Sequence, residues 1–140
     1  MIYSALYNQN LEETINNVPN VNKLKNKDIL ITGATGLIGS AIIDTFIYAN
    51  VVKNLNIHIY AAARDVNQVR KRFNQFFSEK FFNFIKYDAA NNLIFNFNFD
   101  YIIHSAGNSH PVVYASQPVE TMISNLYGIN NLLQYAKDNK

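Results

Sequence analysis

Apolar residues fall along this chain in blocks of two periods, and those blocks predict an alternation of helices and strands. Leu11, Ile15 and Val18 recur at helical spacing ahead of Pro19, which predicts a short amphipathic helix that ends near the proline. The polar run from Asn20 to Lys27 separates this extension from the apolar stretch Asp28 to Thr32, DILIT, a candidate buried parallel strand. After the glycine-rich GATGLIG, Ile38, Ile42, Phe46 and Ala49 share one face of a predicted helix, with Ser40 and Asp44 on the opposite face. A second strand is predicted over Asn56 to Ala63, followed by a helix marked by Val66, Val69, Phe73 and Phe76, with Arg70, Lys71 and Arg72 on its wet side. Phe82 to Tyr87 is a third strand candidate. Asn91 to Asn98 alternates Asn and Phe in a way that suits a short hairpin, and Tyr101 to His104 is a fourth strand. A long helix opens at Pro118, a favourable first helical position, with Met122, Leu126, Ile129, Leu133 and Ala136 expected along its buried face.

Strands that alternate with helices predict a parallel sheet wrapped by helices, hence an α/β fold. The division expected is an N-terminal helical extension over residues 1–27 and one domain over 28–140. With 140 residues, 49% of them hydrophobic and 14% aromatic, the chain can bury one real core but has no room for a second complete domain. A formal net charge of +2 argues against nucleic acid as a partner. No apolar run approaches the roughly 20 residues needed to span a bilayer, and the N-terminus lacks a basic start followed by an apolar core. Cysteine is absent, which excludes disulfides and thiolate chemistry, so the expected setting is cytoplasmic. The abundant asparagine reads as compositional bias.

The chemistry lies in the glycines. Gly33, Gly36 and Gly39 follow a predicted strand and open a predicted helix. In that setting the first glycine permits a tight turn, the second lets backbone approach a pyrophosphate and the third lets helix and strand pack closely. The helix N-terminus then offers N–H groups and a positive dipole end to phosphate. An ordinary tight turn with three glycines is the plain alternative. The spacing is G-x-x-G-x-x-G. With HSAG at His104 to Gly107 and NLYGINNLL at Asn125 to Leu133, it resembles the extended short-chain dehydrogenase/reductase family, whose members include nucleotide-sugar epimerases, 4,6-dehydratases and decarboxylases. The resemblance covers about residues 28–136.

It implies a Rossmann-type, doubly wound parallel sheet, here of about four strands, and NAD(P) as cofactor. It also implies site residues: Thr35, Gly36, Leu37, Ile38 and Gly39 along the pyrophosphate beside Gly33, Asp88 and Ala89 flanking the adenine, Ser105, Ala106 and Gly107 near the nicotinamide ribose, and Asn125 bracing that region. Taken alone, Asp88 reads equally well as a plain loop aspartate. Ligands of open α/β sheets bind at the carboxyl ends of strands where the strand order reverses, which agrees with this placement in part. Arg64, at the end of the second strand, favours NADP over NAD because an arginine there can pair with the 2′-phosphate. A solvated surface charge is its plain reading. Its neighbour Asp65 either caps the next helix or serves as an acidic ribose ligand for NAD.

No metal site is expected, since His58, His104 and His110 are scattered and lack a carboxylate cluster. His58 is expected to face outward from its strand. No catalytic residue is expected either. The family works through a Tyr and a Lys four residues apart, and no tyrosine here has that partner; Tyr135 is followed by Lys137 on a different helical face. The resemblance thus implies the front part of a longer enzyme that oxidises a sugar nucleotide transiently, with the 140 residues alone inactive. The other readings are a non-catalytic NAD(P)-sensing module and a reductase acting on a non-sugar carbonyl. A bare edge at the fourth strand also suggests either a homodimer paired through it or cover from the N-terminal helix.

Overall fold

The computed structural model describes residues 3–91, 95–107 and 111–139. The chain begins with α1 (Ala5–Asn17), capped where the Ser4 hydroxyl accepts from Tyr7 N, and buries Leu11 and Ile15. Val18 falls outside the helix as its C-cap. Next come β1 (Asp28–Thr32), α2 (Leu37–Lys53), β2 (His58–Ala63), α3 (Val66–Phe73), β3 (Phe82–Lys86), β4 (Tyr101–His104), α4 (Pro111–Ser116) and α5 (Pro118–Asp138). The sheet is parallel throughout, in the order β3-β2-β1-β4. The strand order therefore reverses between β1 and β4, as expected for a doubly wound Rossmann-type sheet.

Strand alternation divides the core in two. Ile29 and Ile31 of β1 and Ile59 and Ala61 of β2 face α2 and α3, where they pack with Ile43, Ile47, Val69 and Phe73. Leu30 and Ala62, one residue out of step, face the other way and pack with Tyr87 and with Leu132 of α5. Asparagine has a structural use that composition does not reveal. The four non-glycine residues with left-handed φ, among those described, are Asn20, Asn26, Asn54 and Asn56, and asparagine tolerates that region better than other side chains. Asn54 ends α2. Asn50 in its last turn closes the loop beyond, donating to Ile57 O at 2.8 Å and accepting from Ile57 N at 2.7 Å.

Several expectations need correction. Asp44 of α2, expected on the polar face, is fully buried, because α1 covers that face. Its carboxylate accepts from the Tyr3 hydroxyl at 2.5 Å and the Tyr7 hydroxyl at 2.8 Å, and it pairs with Arg72 of α3, which stays on the exposed side of its helix as expected. Burial and the adjoining carboxylate raise the pKa of both tyrosines, which stay neutral donors. Ile38, expected in the core, is exposed at the first turn of α2. The face expected to be buried on α5 is also wrong. Met122, Leu126 and Leu133 are 57%, 59% and 61% exposed, while Thr121, Gly128 and Leu132 are buried. The reason is that α5 turns its polar and small residues toward the sheet ends. The described residues of the Asn91–Asn98 stretch form no strand. Instead Phe95, Phe97 and Phe99 gather around Tyr60 and Tyr135. α4 was not anticipated. His58, half-exposed, sits opposite Asp28 in the β1–β2 register with Nδ1 3.0 Å from its carboxylate. His110 lies outside the described residues.

Candidate dinucleotide site

The carboxyl end of β1 leads into the glycine turn. Gly33 has φ of 71°, and a Cβ there would stand 2.5 Å from Ser105 O, so side-chain-bearing residues are barred by conformation and by space alike. Gly36 N donates to Gly33 O at 2.9 Å, and Gly36 then caps α2. Gly39 packs the first turn of α2 directly onto the Gly33 carbonyl, an approach that a Cβ would block. No side chain caps the N-terminus of α2 and no acid lies in its first turn, which leaves its N–H groups and the positive end of its dipole to an anion.

A second junction holds β1 beside β4. Thr32 Oγ1 lies 2.7 Å from His104 Nδ1 and accepts from Ala106 N at 3.3 Å, while Ser105 Oγ donates to Thr32 O at 2.6 Å. Burial lowers the pKa of His104, which favours a neutral ring in this junction.

Between these parts lies an open cavity of about 440 Å³, within the range of small-molecule sites. It draws its wall from the ends of all four strands and from α5. Of the residues singled out in the sequence, Gly33, Thr35, Gly36, Arg64, Asp88, Ala89, Ser105, Ala106, Gly107 and Asn125 line it. Leu37, Ile38 and Gly39 do not: the first two are exposed, Leu37 at 89%, and Gly39 is buried in the helix–turn contact. Asp65 is the N-cap of α3, accepting from Asn67 N at 2.8 Å. Arg64 beside it has no hydrogen-bond or ion-pair partner among the described residues. Asp88 organises the turn after β3, accepting from Ala90 N at 3.1 Å and from Asn91 Nδ2 at 3.2 Å.

Five lining residues escaped sequence reasoning: Ala63, Tyr87, Ala90, Glu120 and Ser124. Ala63, Tyr87 and Ala90 adjoin residues already named. Glu120 and Ser124 stand one helical turn apart just after Pro118, a spacing that could have disclosed a polar face at the helix start. The nearest substitute for a catalytic tyrosine is committed elsewhere, since the Tyr135 hydroxyl donates to Phe97 O and accepts from Phe99 N at 3.3 Å. Among the described residues no group of His, Asp and Glu could hold a metal ion, and no helix is long and apolar enough to cross a membrane.

The sheet order, the glycine turn and the cavity at the strand ends define a Rossmann-type α/β protein. Residues 29–140 match the model of the NAD dependent epimerase/dehydratase family, and the chain belongs to that family. It is 28% identical over 112 residues to UDP-glucuronic acid decarboxylases 3 and 5 of Arabidopsis thaliana, a match covering 80% of this chain and 31% of each relative. The chain thus spans about a third of the length of these curated relatives. Among solved structures it resembles Pen from Bacillus thuringiensis, with a TM-score of 0.68 and 24% identity over 84% of this chain and 36% of that one. It also resembles a dTDP-glucose 4,6-dehydratase double mutant from Streptomyces venezuelae with NAD and DAU bound. There the TM-score is 0.63 and the identity 21%, over 79% of this chain and 36% of that one. At those identities the two structures bear on the fold.

Proposed function

We propose that this chain is the dinucleotide-binding part of a nucleotide-sugar epimerase or dehydratase, and that it takes NADP in preference to NAD. The observation that carries the reading is convergence: the glycine turn, Arg64, Asp88 and the Ser105–Gly107 segment, far apart in sequence, line one cavity at the point where the strand order reverses. The residues fit the group. The N-terminus of α2 suits the diphosphate, and Ala63, Ala89 and Ala106 supply small apolar wall for flat rings. Asn125 adds a polar contact from α5, and Leu37 and Ile38 would contribute backbone N–H groups only.

The preference for NADP rests on the division of labour between two neighbours. Asp65 is occupied as a helix cap, while the Arg64 guanidinium, without a partner among the described residues, stands at the cavity wall, suited to a 2′-phosphate. When bound, the nicotinamide would accept and return a hydride. The part of this chain is to grip the cofactor and fix its orientation, and we propose that the 140 residues alone turn over no sugar nucleotide. Pairing of two copies along the free edge of β4 belongs to the same reading, and light scattering at increasing concentration tests it.

Calorimetric titration with NADPH and with NADH tests the cofactor reading. Saturable binding with NADPH favoured is expected. Arg64→Ala should lower the ratio of the two affinities about tenfold or more, the size of a charge-assisted contact. An unchanged ratio refutes the role of Arg64, and absence of binding from the folded chain refutes the site.

A further inference from the structure

Tyr87, just beyond β3, is 3% exposed and packs among Leu30, Ala62 and Leu132 beneath α5, yet it also lines the cavity. Its hydroxyl has no hydrogen-bond partner among the described residues. An unpaired buried hydroxyl costs roughly 1–3 kcal/mol, and such a group in a folded protein calls for a reason. Packing supplies none, because phenylalanine would fill the same volume without that cost. Burial, with the Asp88 charge behind it, pushes the phenol up to about 12, so the group remains a donor at neutral pH. The hydroxyl itself is covered, and the cavity that Tyr87 borders is the side from which a small shift of the wall admits an acceptor.

We infer that the Tyr87 hydroxyl is a specificity-determining donor that hydrogen-bonds the purine-bearing half of the dinucleotide, an assignment that rests on the dinucleotide reading proposed above. Position favours that half. The sheet order places the ends of β2 and β3, with Arg64, Tyr87 and Ala89, on one side of the β1 turn, and Ser105 to Gly107 on the other. A ligand whose diphosphate sits at the β1–α2 turn extends its two halves in those opposite directions. A purine ring carries in-plane nitrogen acceptors for a phenolic donor, and the alanines beside Tyr87 leave room for a flat ring.

Thr121 supplies a control. Its hydroxyl is also buried without a partner among the described residues, but Thr121 is not part of the cavity wall. The experiment measures thermal unfolding of the ligand-free chain and its affinities for NADPH and for ADP, in the parent, Tyr87→Phe and Thr121→Val. Tyr87→Phe is expected to weaken both ligands about three- to tenfold, the worth of one neutral hydrogen bond, with the unfolding midpoint unchanged or raised. Thr121→Val should leave both affinities unchanged. Equal affinities in parent and Tyr87→Phe overturn the assignment, as does a lowered midpoint, which would mark the hydroxyl as structural. Weakening of NADPH without ADP overturns the purine half specifically. If the folded parent binds neither ligand, the dinucleotide reading falls and takes this inference with it, an outcome distinct from the other three.

Discussion

The two faces of the sheet differ in how far their apolar surface is enclosed. On one face α1, α2 and α3 enclose Ile29, Ile31, Ile43, Ile47 and Phe73 within a continuous core. Most buried polar groups there are paired, Asp44 with Tyr3, Tyr7 and Arg72 and Asn50 with both backbone groups of Ile57, with Asn8 Oδ1 of α1 the exception among the described residues. On the other face Leu30, Ala62, Tyr87 and Leu132 form a smaller cluster, the Tyr87 and Thr121 hydroxyls lack partners among the described residues, and α5 displays Met122, Leu126 and Leu133 outward. The fully packed face bears the load of folding, whereas the face that borders the cavity keeps polar groups in reserve. Stability and binding are thereby assigned to opposite sides of one sheet, which should let each be altered with limited effect on the other.

The contrast can be broken most forcefully at Ile47. Ile47→Ala should cost about 2–5 kcal/mol through lost burial and the cavity left behind, whereas Leu133→Ala, the same loss on the exposed side of α5, should stay within about 0.5 kcal/mol. Urea unfolding measures both, and comparable costs would dissolve the distinction. Next in size is Asp44→Ala, expected to cost about 2–3 kcal/mol, since it strands two tyrosine hydroxyls and an arginine, discounted because the Arg72 side chain is 38% exposed. Deleting residues 1–20 should be epistatic with it: once α1 is gone, the substitution should cost clearly less.

The smallest effect concerns His104. Burial lowers its pKa from the ordinary 6.5, so the unfolded chain takes up a proton before the folded chain does. The His104 contribution is therefore fully present above about pH 6.5 and is lost as the pH falls below it toward the lowered folded value. The thermal midpoint should decline across that window, and less so in His104→Asn. Equal slopes in the two would assign the decline to other groups.

The sequence made one face of the molecule far more legible than the other. The order of the four strands and of the helices other than α4, the glycine turn and ten of the thirteen singled-out residues at the cavity could be read in advance, because β1 and its turn need particular residue types at fixed positions. The orientation of α5 could not. That helix is apolar on more than one side, so periodicity marks it as a helix without saying which stripe meets the sheet, and the decision falls to Thr121, Ser124, Asn125 and Gly128, small or polar residues that fit close to the strand ends. An amphipathic pattern in α2 cannot announce that the N-terminal segment, about forty residues earlier, supplies Tyr3 and Tyr7 as partners for Asp44 on its polar face. The aromatics at Phe95, Phe97 and Phe99 alternate like a strand, but Tyr60 and Tyr135 offered them ring contacts that the pattern could not display.

Thr32 has a consequence for the shape of the cleft. Its hydroxyl and carbonyl hold His104, Ser105 and Ala106 at hydrogen-bond length from the end of β1. The β1 turn and the segment after β4 are therefore clamped directly against each other, like jaws locked before the workpiece arrives. A ligand seated on the wall they form would spend little of its affinity on ordering this part of the protein.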